Sequence, residues 1–201
     1  MEKIDLKKEL KQLYNPSTKE VTIINVPDMN FLMVDGEGAP ASPEYVASLE
    51  ELYPVAYALK FKVKKDKGID YGVMPLEGLW WMEDIAKFSV DRKDEWKWTN
   101  MIMQPKYVTE ADFKTAIQQV RKKKSPTALD KVRFECYHEG KAAQIMHLGP
   151  YSTEGSNVQK IHEAIKAAGY QLSGKHHEIY LGDPRRTAPE KLKTVLRQPM
   201  K

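Results

Sequence analysis

The chain has 201 residues, 41% hydrophobic and 30% charged, a composition that fits a folded globular protein and excludes a disordered one. Its 32 basic and 28 acidic side chains leave a net charge of +4, too mild an excess to point to nucleic acid as a partner. Cys136 is the single cysteine, which excludes an internal disulfide and suits a reducing cytoplasm, and no apolar run has the length needed to cross a bilayer.

The start, Met1 to Lys8, has no apolar core of a signal peptide, so the expected location is cytoplasmic and away from membranes. Leu6, Leu10 and Leu13 recur at helical spacing and predict a short amphipathic helix over 4–14, ended by Asn15-Pro16. Val21–Val26 and Asn30–Val34 read as strands, followed by a turn at Asp35-Gly36-Glu37-Gly38. Ser42-Pro43 marks a helix start, with Val46, Leu49, Tyr53 and Ala56 as the apolar stripe. Tyr57–Lys64 alternates apolar residues with lysines and predicts a half-buried strand. Tyr71–Pro75, Gly78–Met82 and Trp96–Met103 read as extended; 84–95 matches no template. Thr109 caps a helix with the stripe Phe113, Ile117 and Val120. The basic run Arg121–Lys124 at its end suits the helix dipole better than a phosphate.

Val132–Tyr137 and Ala142–Leu148 predict a hairpin around His138-Glu139-Gly140, and Cys136 within it reads as a buried thiol. Val158, Ile161, Ile165 and Ala168 mark a helix stopped by Gly169. Lys175–Leu181 then reads as a strand ended by Gly182-Asp183-Pro184, with a helical turn at 189–192 and a last strand at 194–197. The order strand, glycine turn, helix, strand, strand occurs over 29–82 and again over 142–198. This predicts an α+β fold of two βαββ units with a ligand cleft between them, the Glu178 strand pairing with Tyr57–Lys64. The whole of 1–201 is expected to be one domain, with pattern repeats at about 20–104 and about 130–201.

The most informative segment is Glu178-Ile179-Tyr180. Alternation puts Glu178 and Tyr180 on one face of the strand and Ile179 and Leu181 on the other. An apolar face against the core leaves a carboxylate and a phenol side by side, an arrangement that suits cation binding or acid–base chemistry. The competing reading of Glu178 is a surface or salt-bridged structural acid, and that of Tyr180 a phenol reaching solvent. His147 reads first as a hydrogen-bonded structural histidine, with iron ligation a distant rival. His176-His177 lacks the second histidine of a zinc-protease helix, and the five histidines show no ligand spacing. Gly36-Glu37-Gly38 is no dinucleotide fingerprint, because Ala41 stands at the last glycine position.

Five segments carry a family resemblance: Phe31–Gly36, Pro75–Trp81, Gln144–Tyr151, His177–Pro184 and Leu192–Pro199. With them the chain resembles the GyrI-like small-molecule-binding family, whose fold is a duplicated βαββ unit of SHS2 type shared with bacterial drug-sensor effector domains. The resemblance is closest to a stand-alone branch, similar to metal-independent hydrolases that open the cyclopropane ring of cyclopropanoid genotoxins. It implies a catalytic pair at Glu178 and Tyr180, with Glu178 activating water, and needs neither metal nor cofactor. Planar aromatic ligands call for aromatic walls, for which Trp80, Trp81, Trp98, Tyr45, Tyr71 and Tyr137 are candidates, with His147 as a further ligand contact. Core packing or a partner surface is the competing reading of the tryptophans. The alternatives are a binding module that sequesters drugs or cationic aromatics and, more distantly, a protein that modulates gyrase. The residues ahead of the first strand are too few for a DNA-binding helix-turn-helix, so no direct contact with nucleic acid is expected. The oligomeric state is left open.

Overall fold

The computed structural model describes residues 2–40, 42–82, 95–123 and 129–201. The chain forms two compact units, each assembled from separate segments: Met1–Glu9, Met29–Met74 and Trp81–Tyr137 in the first, Leu10–Asp28, Pro75–Trp80 and His138–Lys201 in the second. Most of 84–95, which the sequence leaves without a reading, lies outside the described residues.

In the first unit β3 (Met29–Glu37) pairs antiparallel with β6 (Lys97–Gln104) on one edge and β7 (Arg133–Tyr137) on the other. Helices α3 (Pro43–Lys67) and α4 (Glu110–Lys123) pack on each other, and α3 lies against β3 and β6. A two-stranded parallel ribbon joins β1 (Glu2–Ile4) to β4 (Ile69–Tyr71). The helix expected over 4–14 is instead β1 followed by two short segments, α1 (Leu6–Glu9) and α2 (Lys11–Tyr14), with Leu6, Leu13 and Tyr14 buried.

The predicted strand Tyr57–Lys64 is the second half of α3. Ser42 caps that helix by accepting the Tyr45 N–H, Pro43 occupies its first turn, and Gly68 ends it at φ 69°. Its buried residues are Ser48, Glu51, Leu52, Val55, Ala56, Leu59 and Val63, a spacing of three and four. Of the four apolar residues that alternate over 57–63, only Leu59 and Val63 face the core. Tyr57 and Phe61 are exposed and stack on each other one turn apart, and Val46 is exposed rather than part of the buried stripe. The lysines that imitate a polar strand face hold acids instead: Lys62 pairs with Asp66 at 2.6 Å and Lys64 with Asp70 at 2.8 Å. Reciprocal bonds between Thr109 and Asp112 cap α4 as read from the sequence.

In the second unit the strand order is β2 (Thr22–Val26), β8 (Gly140–Leu148), β10 (Lys193–Pro199), β9 (His176–Tyr180), β5 (Leu76–Trp81), all antiparallel. α5 (Gly155–Ala167) covers one face, packing Ile161 and Ile165 on Ala143, Ile145, Leu196 and Met200. β8 is flanked by β2 and β10, while β7 pairs with β3, so the predicted 132–148 hairpin does not form. Cys136 on β7 is exposed, not buried. β9 pairs with β10 and β5, not with 57–64. The chain order strand, helix, strand, strand nevertheless occurs twice, over β3–α3–β4–β5 and β8–α5–β9–β10, in an α+β fold. Among the described residues no helix is long and apolar enough to cross a membrane.

The other face of this sheet holds a buried polar network that fixes β9. His177, Glu77, Arg197 and Gln144 are wholly buried. His177 Nδ1 lies 2.8 Å from Glu139 Oε1 and its Nε2 lies 2.9 Å from Glu77 Oε2. Ionised carboxylates only accept, so both ring nitrogens carry protons and His177 is an imidazolium. Arg197 donates to Glu139 at 3.0 Å, to Gln144 at 3.0 Å and to the Leu13 carbonyl at 2.8 Å, while Tyr14 donates to Glu77 at 2.7 Å. Two acids thus face two cations, the condition under which such burial is tolerated. Burial pulls the His177 pKa down, but Glu139 and Glu77 outweigh it and hold it at about 8. Burial would raise Glu139, yet His177 and Arg197 bring it to about 2.

These shifts predict a two-sided pH dependence of stability. The folded His177 value lies above its unfolded 6.5, so its contribution is complete below that pH and is lost as pH rises through about 8. Glu139 lies below its unfolded 4.5, so its contribution is complete above that pH and is lost as pH falls towards 2. The midpoint of thermal unfolding should therefore peak between those limits. The alkaline loss should be on the order of 2 kcal/mol by linkage. His177→Gln should unfold at lower temperature at pH 6 and lose the alkaline slope; an unchanged slope in that variant would contradict the assignment.

Candidate functional site

Because His177 and Ile179 are both fully buried on one face of β9, strand alternation presents His176, Glu178 and Tyr180 on the opposite face. All three are half-buried, the Glu178 side chain at 18% exposure, so the carboxylate is partly desolvated yet within reach of solvent. The register sets their neighbours. Across β5, Gly78 faces Glu178, Leu76 faces Tyr180 and Trp80 faces His176; across β10, Leu196 faces Glu178 and Thr194 faces Tyr180.

A directed chain of hydrogen bonds links these groups. The Trp80 indole N–H donates to the Tyr180 hydroxyl at 2.9 Å, and that hydroxyl donates to Glu178 Oε2 at 2.8 Å. Indole can only donate, so Tyr180 accepts from Trp80 and its own proton points at the carboxylate. His176 Nε2 stands 3.4 Å from the other oxygen of Glu178. The Tyr151 ring meets Tyr180 edge-on, 5.7 Å between centroids. The assembly needs a residue without a side chain at 78, because a Cβ there would stand 2.8 Å from Trp80 Nε1 and 3.0 Å from the Tyr180 hydroxyl.

A second acid belongs to this surface. Glu154 follows the helical turn Tyr151–Thr153 and opens α5. Burial, then the charge of Glu178, push its carboxyl up to about 8, with the nearby Thr194 hydroxyl offsetting part of the rise. The α5 dipole favours the anion at this position, but by only about 0.3–1 kcal/mol, less than one pH unit. Glu154 is therefore protonated at neutral pH. Burial, followed by Glu154, Glu178 and Asp183, raises the Tyr151 phenol to about 12.

Of the residues singled out from sequence, the structure brings Glu178, Tyr180 and Trp80 together. Trp81 is the next residue along β5 and alternates to its other side. Tyr45, Tyr71, Trp98 and Tyr137 belong to the first unit. There Trp98 is fully buried, its ring filling the space where Gly36 has no Cβ, with Tyr45 edge-on at 5.3 Å. Tyr71 is buried edge-on to Tyr107, and the half-buried Tyr137 stands edge-on to Phe31. His147 is buried in the second unit with both ring nitrogens engaged: Nε2 meets the Pro150 carbonyl and the Thr153 hydroxyl, each at 3.2 Å, and Nδ1 meets the Asn157 amide at 3.1 Å. It ties the end of β8 to the turn that carries Tyr151 and Glu154. Sequence reasoning missed Gly78, Tyr151, Glu154 and His176. Gly78 and Tyr151 lie inside the segments Pro75–Trp81 and Gln144–Tyr151 that carry the resemblance; no spacing pattern marks Glu154.

Comparison with known proteins gives this geometry a context. A protein from Listeria innocua, described as uncharacterized and conserved, is 42% identical in its crystal structure, with a TM-score of 0.92 over 98% of this chain and 100% of that one. The crystal structure of a hydrolase from Listeria innocua is 39% identical, with a TM-score of 0.86 over the same shares. The C-terminal domain of EcmrR shares the fold alone, at 11% identity and a TM-score of 0.55 over 90% of this chain and 97% of that one. No curated protein matches the chain. The model of the GyrI-like small-molecule-binding domain matches residues 19–201, nearly the whole chain, and the chain belongs to that family.

Proposed function

We propose that the protein is a hydrolase of planar, electrophilic xenobiotics, with cyclopropanoid genotoxins as its substrate class. The observation that carries this reading is the chain of hydrogen bonds from Trp80 through Tyr180 to Glu178, which ends on one carboxylate oxygen beside aromatic rings. A carboxylate kept ready to accept a proton is what water activation requires. Relatives about 40% identical over their whole length are hydrolases by name, which agrees with an enzyme on this scaffold.

The reaction adds one water to a spirocyclopropane conjugated with a dienone. Glu178 takes a proton from the water as its oxygen bonds to the ring carbon. The strained carbon–carbon bond breaks, and its electron pair passes through the dienone to the oxygen as a phenolate, which takes up a proton to give the phenol while Glu178 returns its own proton to solvent. Tyr180 holds Glu178 in place and responds as the carboxylate gains a proton, while Trp80 fixes Tyr180. The rings of Trp80, Tyr151 and Tyr180 offer faces and edges to a flat substrate.

The second reading is a non-catalytic module that binds lipophilic cations, favoured by the same half-buried acid among aromatic rings. Incubating the protein with a cyclopropanoid and weighing the products separates the two: hydrolysis gives a species one water heavier, and sequestration returns the compound unchanged.

Glu178→Gln should lower kcat on a cyclopropanoid by about 100-fold or more, the usual loss of a general base, with the unfolding temperature preserved. Unchanged turnover would sink the hydrolytic role of Glu178. Tyr180→Phe should lower kcat less, about tenfold, because the carboxylate remains but loses its orienting bond. Gly78→Ala should cost turnover comparably by displacing Trp80 and Tyr180, and crystals of that variant should show the 2.9 Å bond broken.

A further inference from the structure

The Glu178 face of the second unit carries two buried polar groups that the reaction above leaves unused. Glu154 is 7% exposed and its Oε1 has no hydrogen-bond partner among the described residues; Thr194 is fully buried and its hydroxyl has none either. Leaving such groups unpaired costs free energy, so native proteins keep them sparingly. These two are neighbours, since the Thr194 hydroxyl acts on the Glu154 carboxyl. Both belong to the site: Thr194 lies across from Tyr180 in the β9–β10 register, and the Tyr151 ring, three residues before Glu154, packs on Tyr180. The backbone of Glu154 is fixed by bonds to Tyr151, Asn157 and Val158.

We propose that Glu154 and Thr194 form a hydrogen-bonding subsite beside Glu178 that takes an uncharged carbonyl oxygen of the bound molecule, with the Glu154 carboxyl as donor. This rests on the site assigned above. It gives the two acids opposite roles, Glu178 accepting a proton and Glu154 supplying one. The groups that face Glu154 are consistent with that division. β9 contributes Glu178, β10 contributes Thr194 and the turn contributes Tyr151; further out, His176 lies against Glu178, Asp183 acts on Tyr151, and His147 is held by Thr153 and Asn157. Burial and the Glu178 charge keep the Glu154 proton in place at neutral pH.

In the hydrolytic step the dienone oxygen gains an electron pair as the ring carbon–carbon bond breaks. The Glu154 proton passes to that oxygen to form the phenol, while the proton of the attacking water passes to Glu178. One water has been added, Glu178 ends protonated and Glu154 ionised, and proton exchange with solvent restores the pair. Two acids with separated proton affinities are a recurring solution where one site needs both an acid and a base.

The test uses the full chain and two planar probes of matched shape, 9-fluorenone with a carbonyl and fluorene without one. Wild type should bind fluorenone about tenfold more tightly than fluorene at pH 6.5 and lose that preference above about pH 8. Glu154→Gln, whose amide still donates, should keep the preference at every pH, while Glu154→Ala and Thr194→Val should reduce it. With a cyclopropanoid as substrate, wild-type kcat should fall about tenfold per pH unit above 8, and Glu154→Gln should be slower by about 100-fold with that alkaline limb gone. A wild type that does not distinguish the probes, including by binding neither, overturns the subsite, as does an alkaline limb that persists in Glu154→Gln. Absence of wild-type turnover with the ketone preference intact would overturn the hydrolase reading and leave the subsite standing.

Discussion

The site depends on a doubly protonated histidine held between two buried carboxylates. His177 is fixed by Glu77 on the neighbouring strand and by Glu139, which Arg197 holds in turn. Side chains on a strand alternate, so fixing His177 inward settles where Glu178 and Tyr180 point. A slip of one residue would bury Glu178 without a cation and leave Glu77 and Glu139 facing each other. The network is an expensive way to fill a core. What it supplies here is registry of the strand that carries the site.

The opposite face of the same strand uses polar groups differently. Around His177 every charge has a counter-charge, and the acids are tied down. Around Glu178 the partners are an indole, a phenol and an imidazole, and the second acid, Glu154, stays protonated because burial and a like charge outweigh its surroundings. One face is balanced and rigid. The other holds a half-buried acid bonded to a phenol and a second, buried acid pushed up to about 8.

Glycine does for the aromatic groups what the ion network does for the acids. At 78 the missing Cβ lets Trp80 and Tyr180 meet over the backbone, and at 36 it lets the Trp98 ring approach β3 closely, edge-on to Tyr45. In the second unit the arrangement produces a hydrogen-bonded chain ending on a carboxylate; in the first it produces a packed core around a buried indole.

The sequence by itself determined the pattern of elements and the pair on β9. Capping residues placed the starts of α3 and α4, Gly169 placed the end of α5, and the Glu-Ile-Tyr alternation put an acid and a phenol on one face, because caps and alternation are local physics. It misread Tyr57–Lys64, since residues 57, 59, 61 and 63 fit a two-residue period while their burial follows a helical one, and only the core shows which pair is inside. It took His138-Glu139-Gly140 for a hairpin turn, where tertiary structure sends β7 and β8 to different partners and buries the Glu139 side chain beside Arg197. Tertiary structure alone decided the proton on Glu154 and the companions of Glu178, because burial and the nearness of residues far apart in the chain leave no trace in spacing. The acid and its phenol were written in three consecutive residues; the chemistry around them had to be assembled from four strands and the start of a helix.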